Sequence, residues 1–582
     1  MIKKRHVIAA VALALCAPIL ASCGNGGTDN NQSIVDSETV KNKATINLTF
    51  NEEGGTVNYA QGTYKVGDII HLKIATNKGY SIANVTVNGE AIRPDRGNYK
   101  FEIRSEIVNI CVVFEKIQVI MSDFKFELDE KNLTAKIVEY KPDRSIIPYP
   151  FVVPETVELN GKNYVIDGIK NKAFLSSSIE AIKLSKNIKD IELETFANVH
   201  GLSSILVDQN NLYFSSYDDC LYSKDFSRLI AVPCEYLKDE ITVKNGCNTI
   251  EQSAFNNSRL IQKVVLPDSV TTLKDQAFMA MRSLTDIKLS KNIKVIPSKC
   301  FANDVALRSV ILPEGVEILK EYSFNFCPAL ESVTFPTTLK EIGKESFYHC
   351  QRLGDVILNE GLKVIGKSAF GGVLNLHSIT MPSTLKRLED AAFETCANLK
   401  TVKLNEGLEY LGGAVFILTP YIKEVVIPST VTTINYNPFI GTGEGILKLA
   451  EGNKNYKMVD GVLFDKDLTT LICYPYNLQP ENLEYRVPDS VTKLGYNCFS
   501  MNIYLKKVIL PKTITQMLCA FQEILPSAAT MTYEMELFYE GTKAEFKNID
   551  NGGVIWNYKA NFKNNILTCS DGFIYLSPQM GN

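Results

Sequence analysis

Fourteen cysteines and five histidines are the residues of this 582-residue chain best suited to chemistry. Thiolates with imidazoles hold zinc, and a Ser or Cys beside a His and an acid makes a nucleophile. Neither arrangement has its spacing here: there is no Cys-x-x-Cys and no Cys/His cluster of zinc type. No Walker loop occurs, and no Gly-x-Gly-x-x-Gly follows a strand pattern. Asp460, Asp465 and Asp467 are close enough to suggest a cation site, but an Asp before a Gly, as at Asp460-Gly461, is first a turn residue. A single Trp, Trp556, leaves little for a tryptophan sugar platform. With 61 basic and 65 acidic residues the net charge is only −4, which argues against nucleic acid as a partner. These counts imply no catalytic residues, no metal and no cofactor, in a chain whose 45% hydrophobic content can bury several cores.

One cysteine has a different chemistry. Lys3, Lys4 and Arg5 precede a short apolar run from Val7 to Leu15, and then Leu20-Ala21-Ser22-Cys23. The run is too short to span a membrane and has the flanks of a secretion signal. Its end resembles the bacterial lipobox, which implies cleavage before Cys23 and lipidation of that residue. Removing residues 1–22 takes three cations with it and moves the net charge from −4 to −7. Residues 23–43, beginning Gly24-Asn25-Gly26-Gly27, have no periodicity and read as a flexible tether. No later stretch of 18 or more apolar residues competes with an acyl anchor for the membrane.

The elements that must position everything else begin at residue 44. From 44 to 116 apolar residues alternate, as in Ile46, Leu48 and Phe50 or Ile70, Leu72 and Ile74, with turns at Gly54-Gly55, Lys78-Gly79 and Asn88-Gly89. Period two with Asn-Gly between runs predicts β-hairpins, and puts His71 on the solvated face opposite Ile70. The order Gly-Gly-Thr-Val, Tyr64-Lys-Val-Gly-Asp, Gly79-Tyr80 and Val87-Asn88-Gly89 resembles the divergent B-repeat modules of internalin-like surface proteins, implying a spacer or accessory adhesion module.

Beyond it, Phe255, Phe278, Phe301, Phe324, Phe347, Phe370, Phe393, Phe416 and Phe439 are separated by eight steps of 23. A fixed period of this size means stacked repeats. Counting from each Phe, positions +6, +9, +11, +15 and +18 are also apolar, as in Leu307, Val310, Leu312, Val316 and Leu319. No repeat has a core of its own, so burial must be shared between neighbours in a solenoid. Positions +9 and +11 flank one outward residue, which predicts a short strand closed by Pro at +12, as in Pro313 and Pro336. The pattern Ala/Ser-Phe, Leu, Val, Leu-Pro, Val, Ile, with Ile342-Gly343-Lys344-Glu345-Ser346-Phe347 and Ile365-Gly366-Lys367-Ser368-Ala369-Phe370, resembles BspA-like leucine-rich repeats. The expected fold is therefore a β-rich solenoid of short parallel strands over 117–525, preceded by a small all-β module. The solenoid opens on a cap and ends in a capping segment at 526–582. The 23-residue step fails twice, at 207–235 and 449–477, where Asn210-x-x-Tyr213 to Leu229-Ile230-x-x-Pro233 matches Asn453-x-x-Tyr456 to Leu471-Ile472-x-x-Pro475. Family members carry comparable hairpin inserts, so the resemblance implies a structural role.

The register now assigns the reactive side chains. Cys327, Cys350 and Cys396 share +3, and Cys300 stands at +22 where Ala277, Ser323, Ser346, Ala369 and Ala392 stand elsewhere. That is the pattern of a small buried residue, although Cys327 and Cys350, in adjacent coils, could be near enough for a disulfide. His200, His349 and His377 fall at +4, +2 and +7 and form no cluster. The candidate binding surface is the outward +10 row: Val265, Lys288, Ile311, Thr334, Ile357, Thr380, Lys403 and Val426. Six of these eight are β-branched, which strand propensity alone also explains. The family resemblance implies a non-enzymatic, membrane-anchored surface lipoprotein, in the outer membrane if the cell has two, that adheres to host matrix proteins or other cells. A structural envelope protein and a glycan-binding lipoprotein are the alternatives.

Overall fold

The computed structural model describes residues 43–575, apart from 78–79, 95–97, 117–119, 143–148, 176, 444–445, 503, 522–534 and 551–561. Cys23, the signal and tether segments, and Trp556 lie outside the described residues. The chain divides into two compact units, one formed by the segments up to Asn51, Thr56–Ala75 and Asn84–Val112, the other by the rest. In the N-terminal region the strands form a five-stranded and a three-stranded sheet. Alternation holds: Ile70 and Leu72 are buried and His71 is exposed between them. Tyr80–Val87 and Glu90–Ala91 form an antiparallel hairpin whose turn residues, Asn88 and Gly89, both have positive φ. That geometry matches the right-handed twist of the strands and is why Asn-Gly marks such a turn.

The second unit opens with the strands Phe124–Asp129, Thr134–Tyr140, Thr156–Leu159 and Lys162–Ile169 in one sheet. The 23-residue coils follow. Each brings its Phe onto the preceding one: from Phe278 to Phe370 successive ring centroids lie 5.0 to 5.3 Å apart and nearly parallel. These rings are fully buried, as are Leu307, Val316, Leu319 and their counterparts in neighbouring coils.

Coils carry two strands rather than the one expected. The first occupies +8 to +10, as in Ser309–Ile311 and Ser332–Thr334. The second, only two residues long, occupies +17 and +18 and builds a seven-stranded parallel sheet from Val295–Ile296 to Thr433–Ile434, each residue opposite its counterpart 23 away. Two residues are too few to show alternation, so this strand left no period-two signal in the sequence. A third set of bonds joins the coils around the Phe. The residues at +21 and +2 are left-handed, as at Lys299, Tyr322, Asn303 and Phe326. Their N–H groups and that of the Phe all donate to the next coil, for example Tyr322 to Lys344 O at 2.8 Å and Phe324 to Ser346 O at 2.8 Å.

Both inserts are hairpins: Phe214–Tyr217 with Cys220–Ser223, and Tyr456–Val459 with Val462–Asp465. Each turns through two residues of positive φ, Asp218-Asp219 and Asp460-Gly461. The Asp465 carboxylate accepts from the N–H and hydroxyl of Thr469 and from the N–H of Thr470, so its oxygens serve the turn. At the C-terminal end, Met535–Tyr539, the helix Lys543–Lys547 and the hairpin Phe562–Cys569 with Gly572–Tyr575 cover the last coil. The helix begins at Thr542, which forms a capping box with Glu545. No helix among the described residues is long and apolar enough to cross a membrane.

Candidate binding face

The first strands fix the +10 row. Val310 and Leu312 are buried on either side of Ile311, and the same alternation holds for Ile379, Thr380 and Met381. Lys288, Ile311, Thr334, Ile357, Thr380, Lys403 and Val426 are exposed, and Val265 is half-buried. Ile311 is 71% and Ile357 80% exposed, values at the opposite extreme from the buried residues beside them. Lys288 and Lys403 form no ion pair among the described residues.

The row is not continuous. Strands pair from Glu240–Thr242 to Asp286–Lys288, from Ser309–Ile311 to Ser332–Thr334, and from Ser378–Thr380 to Thr401–Lys403, but residues 353–359 form no strand. Asn359 stands there in place of the Pro at +12 and donates from Nδ2 to Phe335 O at 2.8 Å. Asp355, at +8, takes over part of the ladder: its carboxylate accepts from the N–H groups of His377 and Ser378 and from the Ser378 hydroxyl. Burial pushes this carboxyl up, but those donors outweigh it and hold it below its ordinary value. The break leaves a depression of about 370 Å³ edged by Ile357, Thr380 and Pro382. The sequence shows the missing Pro at 359, but not that Asp355 would replace strand pairing.

Elsewhere the structure distributes the reactive residues rather than gathering them. His200 meets Arg259, His349 stacks on Phe326, and the backbone of His377 bonds Asp355. Among the described residues no three His, Cys, Asp or Glu converge as metal ligands would. The twelve cysteines of the described residues, Cys327 and Cys350 among them, form no disulfide, and ten of them are buried. The +3 thiols have a specific partner: Cys327, Cys350 and Cys396 donate to the carbonyls of Phe301, Phe324 and Phe370, at 3.0, 3.1 and 3.1 Å. Thr442 in the same column does likewise to Phe416 O.

A 23-residue coil with stacked Phe rings, two parallel strands and recurrent +3 donors is a leucine-rich repeat of a particular kind, and the model of the BspA type leucine rich repeat region matches residues 155–227, 233–331, 317–443 and 476–548. The chain belongs to this BspA-type family. Among solved structures, this BspA-type chain is similar to a leucine-rich repeat protein from Bacteroides ovatus, with 20% identity over 70% of this chain and 99% of that one and a TM-score of 0.40. A leucine rich cell surface protein from Faecalibacterium prausnitzii is 15% identical over 75% of this chain and 98% of that one, with a TM-score of 0.33. A leucine-rich repeat protein from Eubacterium ventriosum is 22% identical over 38% of this chain, which spans 64% of that one, with a TM-score of 0.33. Compared with curated proteins, the chain has no match.

Proposed function

We propose that this BspA-type protein is an exported lipoprotein, anchored through Cys23, whose solenoid binds a protein partner along the +10 row in adhesion to host matrix or to other cells. The observation that carries the reading is the exposure of Ile311, on its strand, and of Ile357, at the break in the strand row, where solvation offers such side chains no gain. The depression beside Ile357 gives an apolar side chain of the partner a place to enter, and Lys288 and Lys403 supply unpaired cations at two points along the row. A row of outward residues repeated coil by coil suits an extended partner surface, as solenoid faces generally do. The repeats act as a scaffold, with no catalytic constellation assigned to them.

The test replaces Ile311, Ile357 and Val426 together with Ser and compares binding to immobilised matrix proteins and to cells. Loss of binding with an unchanged melting temperature supports the reading, and unchanged binding by the folded triple variant removes it. Anchoring is tested separately: Cys23→Ala abolishes incorporation of labelled palmitate, and protease treatment of intact cells digests the wild-type repeats if they are displayed outward.

A further inference from the structure

The same hairpin insert occurs twice, yet it leaves a different gap each time. At the second insert Tyr474 fills the Phe column, its ring 5.5 Å from Phe499 and its N–H donating to Cys498 O at 2.8 Å. Around it Tyr436 meets Tyr496, Asn437 donates from Nδ2 to Asn497 O at 2.9 Å, and the N–H of Phe439 is taken by Asn437 Oδ1. That opening is packed shut. At the first insert the equivalent of Tyr474 is Val232, which donates in the same way to Ala254 O at 2.7 Å but brings no ring. An open cleft of about 320 Å³ remains, with Phe196, Ile230, Val232 and Ala254 among its walls. This size lies at the small end of ligand clefts, roughly 300–1,000 Å³.

Its backbone is unfinished as well. Glu194 and Asn198 have the left-handed φ of the +21 and +2 positions, the conformation that aims alternate N–H groups at the next coil. In the regular coils those groups find carbonyls. Here the N–H groups of Glu194 and Phe196, both in residues lining the cleft, donate to no group among the described residues. Two alternate free donors form the recognition pattern of a strand edge. The charges at the cleft are also one partner short. Asp190 pairs with Lys136, Glu192 with Lys170 and Glu251 with Arg228, and Lys189, also in the lining, pairs with Asp167. Among the described residues Glu194 alone of the lining carboxylates has no cation, and its carboxylate is met only by the Ser253 hydroxyl at 3.1 Å.

We infer that this cleft is a second binding site, for a short extended peptide segment carrying a Lys or Arg. Carbonyls of the peptide accept from the N–H groups of Glu194 and Phe196, its basic side chain meets the Glu194 carboxylate, and an apolar neighbour lies against Ile230 and Val232 in the cleft wall. The cleft lies on the second-strand side of the coils, and its test touches no residue of the +10 row, so the two sites stand or fall separately.

The probe is a fluorescently labelled pentapeptide, Val-Lys-Val-Lys-Val with capped ends, titrated against the full chain by anisotropy. Its controls are Val-Glu-Val-Glu-Val and the acetylated-lysine peptide. Saturable binding of the lysine peptide is expected, at least tenfold tighter than either control. Glu194→Gln is expected to weaken it about tenfold, the equivalent of about 1.4 kcal/mol, while Glu192→Gln, which removes a carboxylate already paired, changes it less than about twofold. Val232→Tyr, which copies the residue of the closed insert, is expected to abolish binding in the folded protein. If Val232→Tyr fails to fold, the contrast between the two Gln variants still decides. The proposal is overturned if the lysine peptide does not bind, if both Gln variants weaken binding equally, if a folded Val232→Tyr binds as wild type does, or if chitotriose binds in a manner that Val232→Tyr abolishes while the peptides do not bind.

Discussion

Asp304 stands in the +3 column that Cys327, Cys350 and Cys396 occupy in later coils, and it is fully buried. Its Oδ1 accepts from the Met281 N–H at 2.8 Å, while Oδ2 meets no donor among the described residues. Burial therefore pushes this carboxyl well above the ordinary range. The unfolded chain ionises it near pH 4 and the folded chain only at higher pH, so below about pH 4 the buried acid costs nothing through ionisation. As pH rises above that, the folded state loses stability relative to the unfolded one until the raised value is passed. Asp304→Asn, which keeps the acceptor for Met281 and stays neutral, should raise stability by about 1–3 kcal/mol at pH 7 and change it little at pH 4. Melting curves of both proteins across that interval check it, and a gap that fails to widen with pH would contradict it. Burial acts in the same direction on the column's thiols, pushing Cys396 up to about 12. A thiol reagent should accordingly modify Cys111 and Cys519, the two partly exposed cysteines of the described residues, in the native state and the ten buried ones only after denaturation.

In the coil as an element, the Phe stack sets the largest single term and the exposed edge a smaller, pH-dependent one. Phe347 packs between Phe324 and Phe370 at 5.3 Å from each. Phe347→Ala leaves a hole between two coils that are bonded to it on both sides and so cannot collapse onto it; it should cost about 3–5 kcal/mol, measured by urea unfolding. At the edge, Glu360 accepts from the N–H and hydroxyl of Ser383 and from the N–H of Thr384, and Glu406 does the same with Ser429 and Thr430. Backbone donors, first of all those of Ser383 and Ser429, hold both carboxyls below their ordinary values. Their contribution is present above the unfolded value near pH 4.3 and lost as pH falls through the lowered ones. The Glu360→Gln, Glu406→Gln double variant should thus show a flatter decline of melting temperature below pH 5 than the wild type. Much of this element was legible because a 23-step makes each column a vertical stack: the Phe, the small residue at +3 and the outward +10 all follow from period alone. The partners of +3 did not, since the acceptor of Cys350 is the carbonyl of Phe324, 26 residues earlier, and only the closed coil brings them together. The cleft escaped for a related reason: matching the two inserts through Leu-Ile-x-x-Pro says nothing of the coil before each, where Asn437 bonds Asn497 and Phe439 while its counterpart Glu194 meets Ser253.

For the repeat array as a whole, the inserts divide more than the sequence. Buried residues fall into three main clusters, one from Phe124 to Leu221, one from Cys220 to Cys473 and one from Val462 to Cys569. Both changes of cluster come within the hairpins, where the 23-step fails and where Val232 or Tyr474 replaces a stacked Phe. In a solenoid, stability is close to a sum of coil terms and nearest-neighbour interfaces, so a weakened interface is where cooperativity ends. The central stretch has the longest uninterrupted Phe stack and the seven-stranded sheet, whereas the last coils stack the shorter run Tyr474, Phe499 and Phe521. Urea should therefore unfold the array in more than one step, with the central coils last. Hydrogen exchange read by mass spectrometry should show amides from Val295 to Ile434 exchanging slowest, with changes in protection at 207–235 and 449–477. Because Val232 makes the poorer stack, the first of these two boundaries should open at lower urea than the second. A single protection level from Phe124 to Cys569 would mean that the hairpins couple the coils as tightly as the Phe rings do.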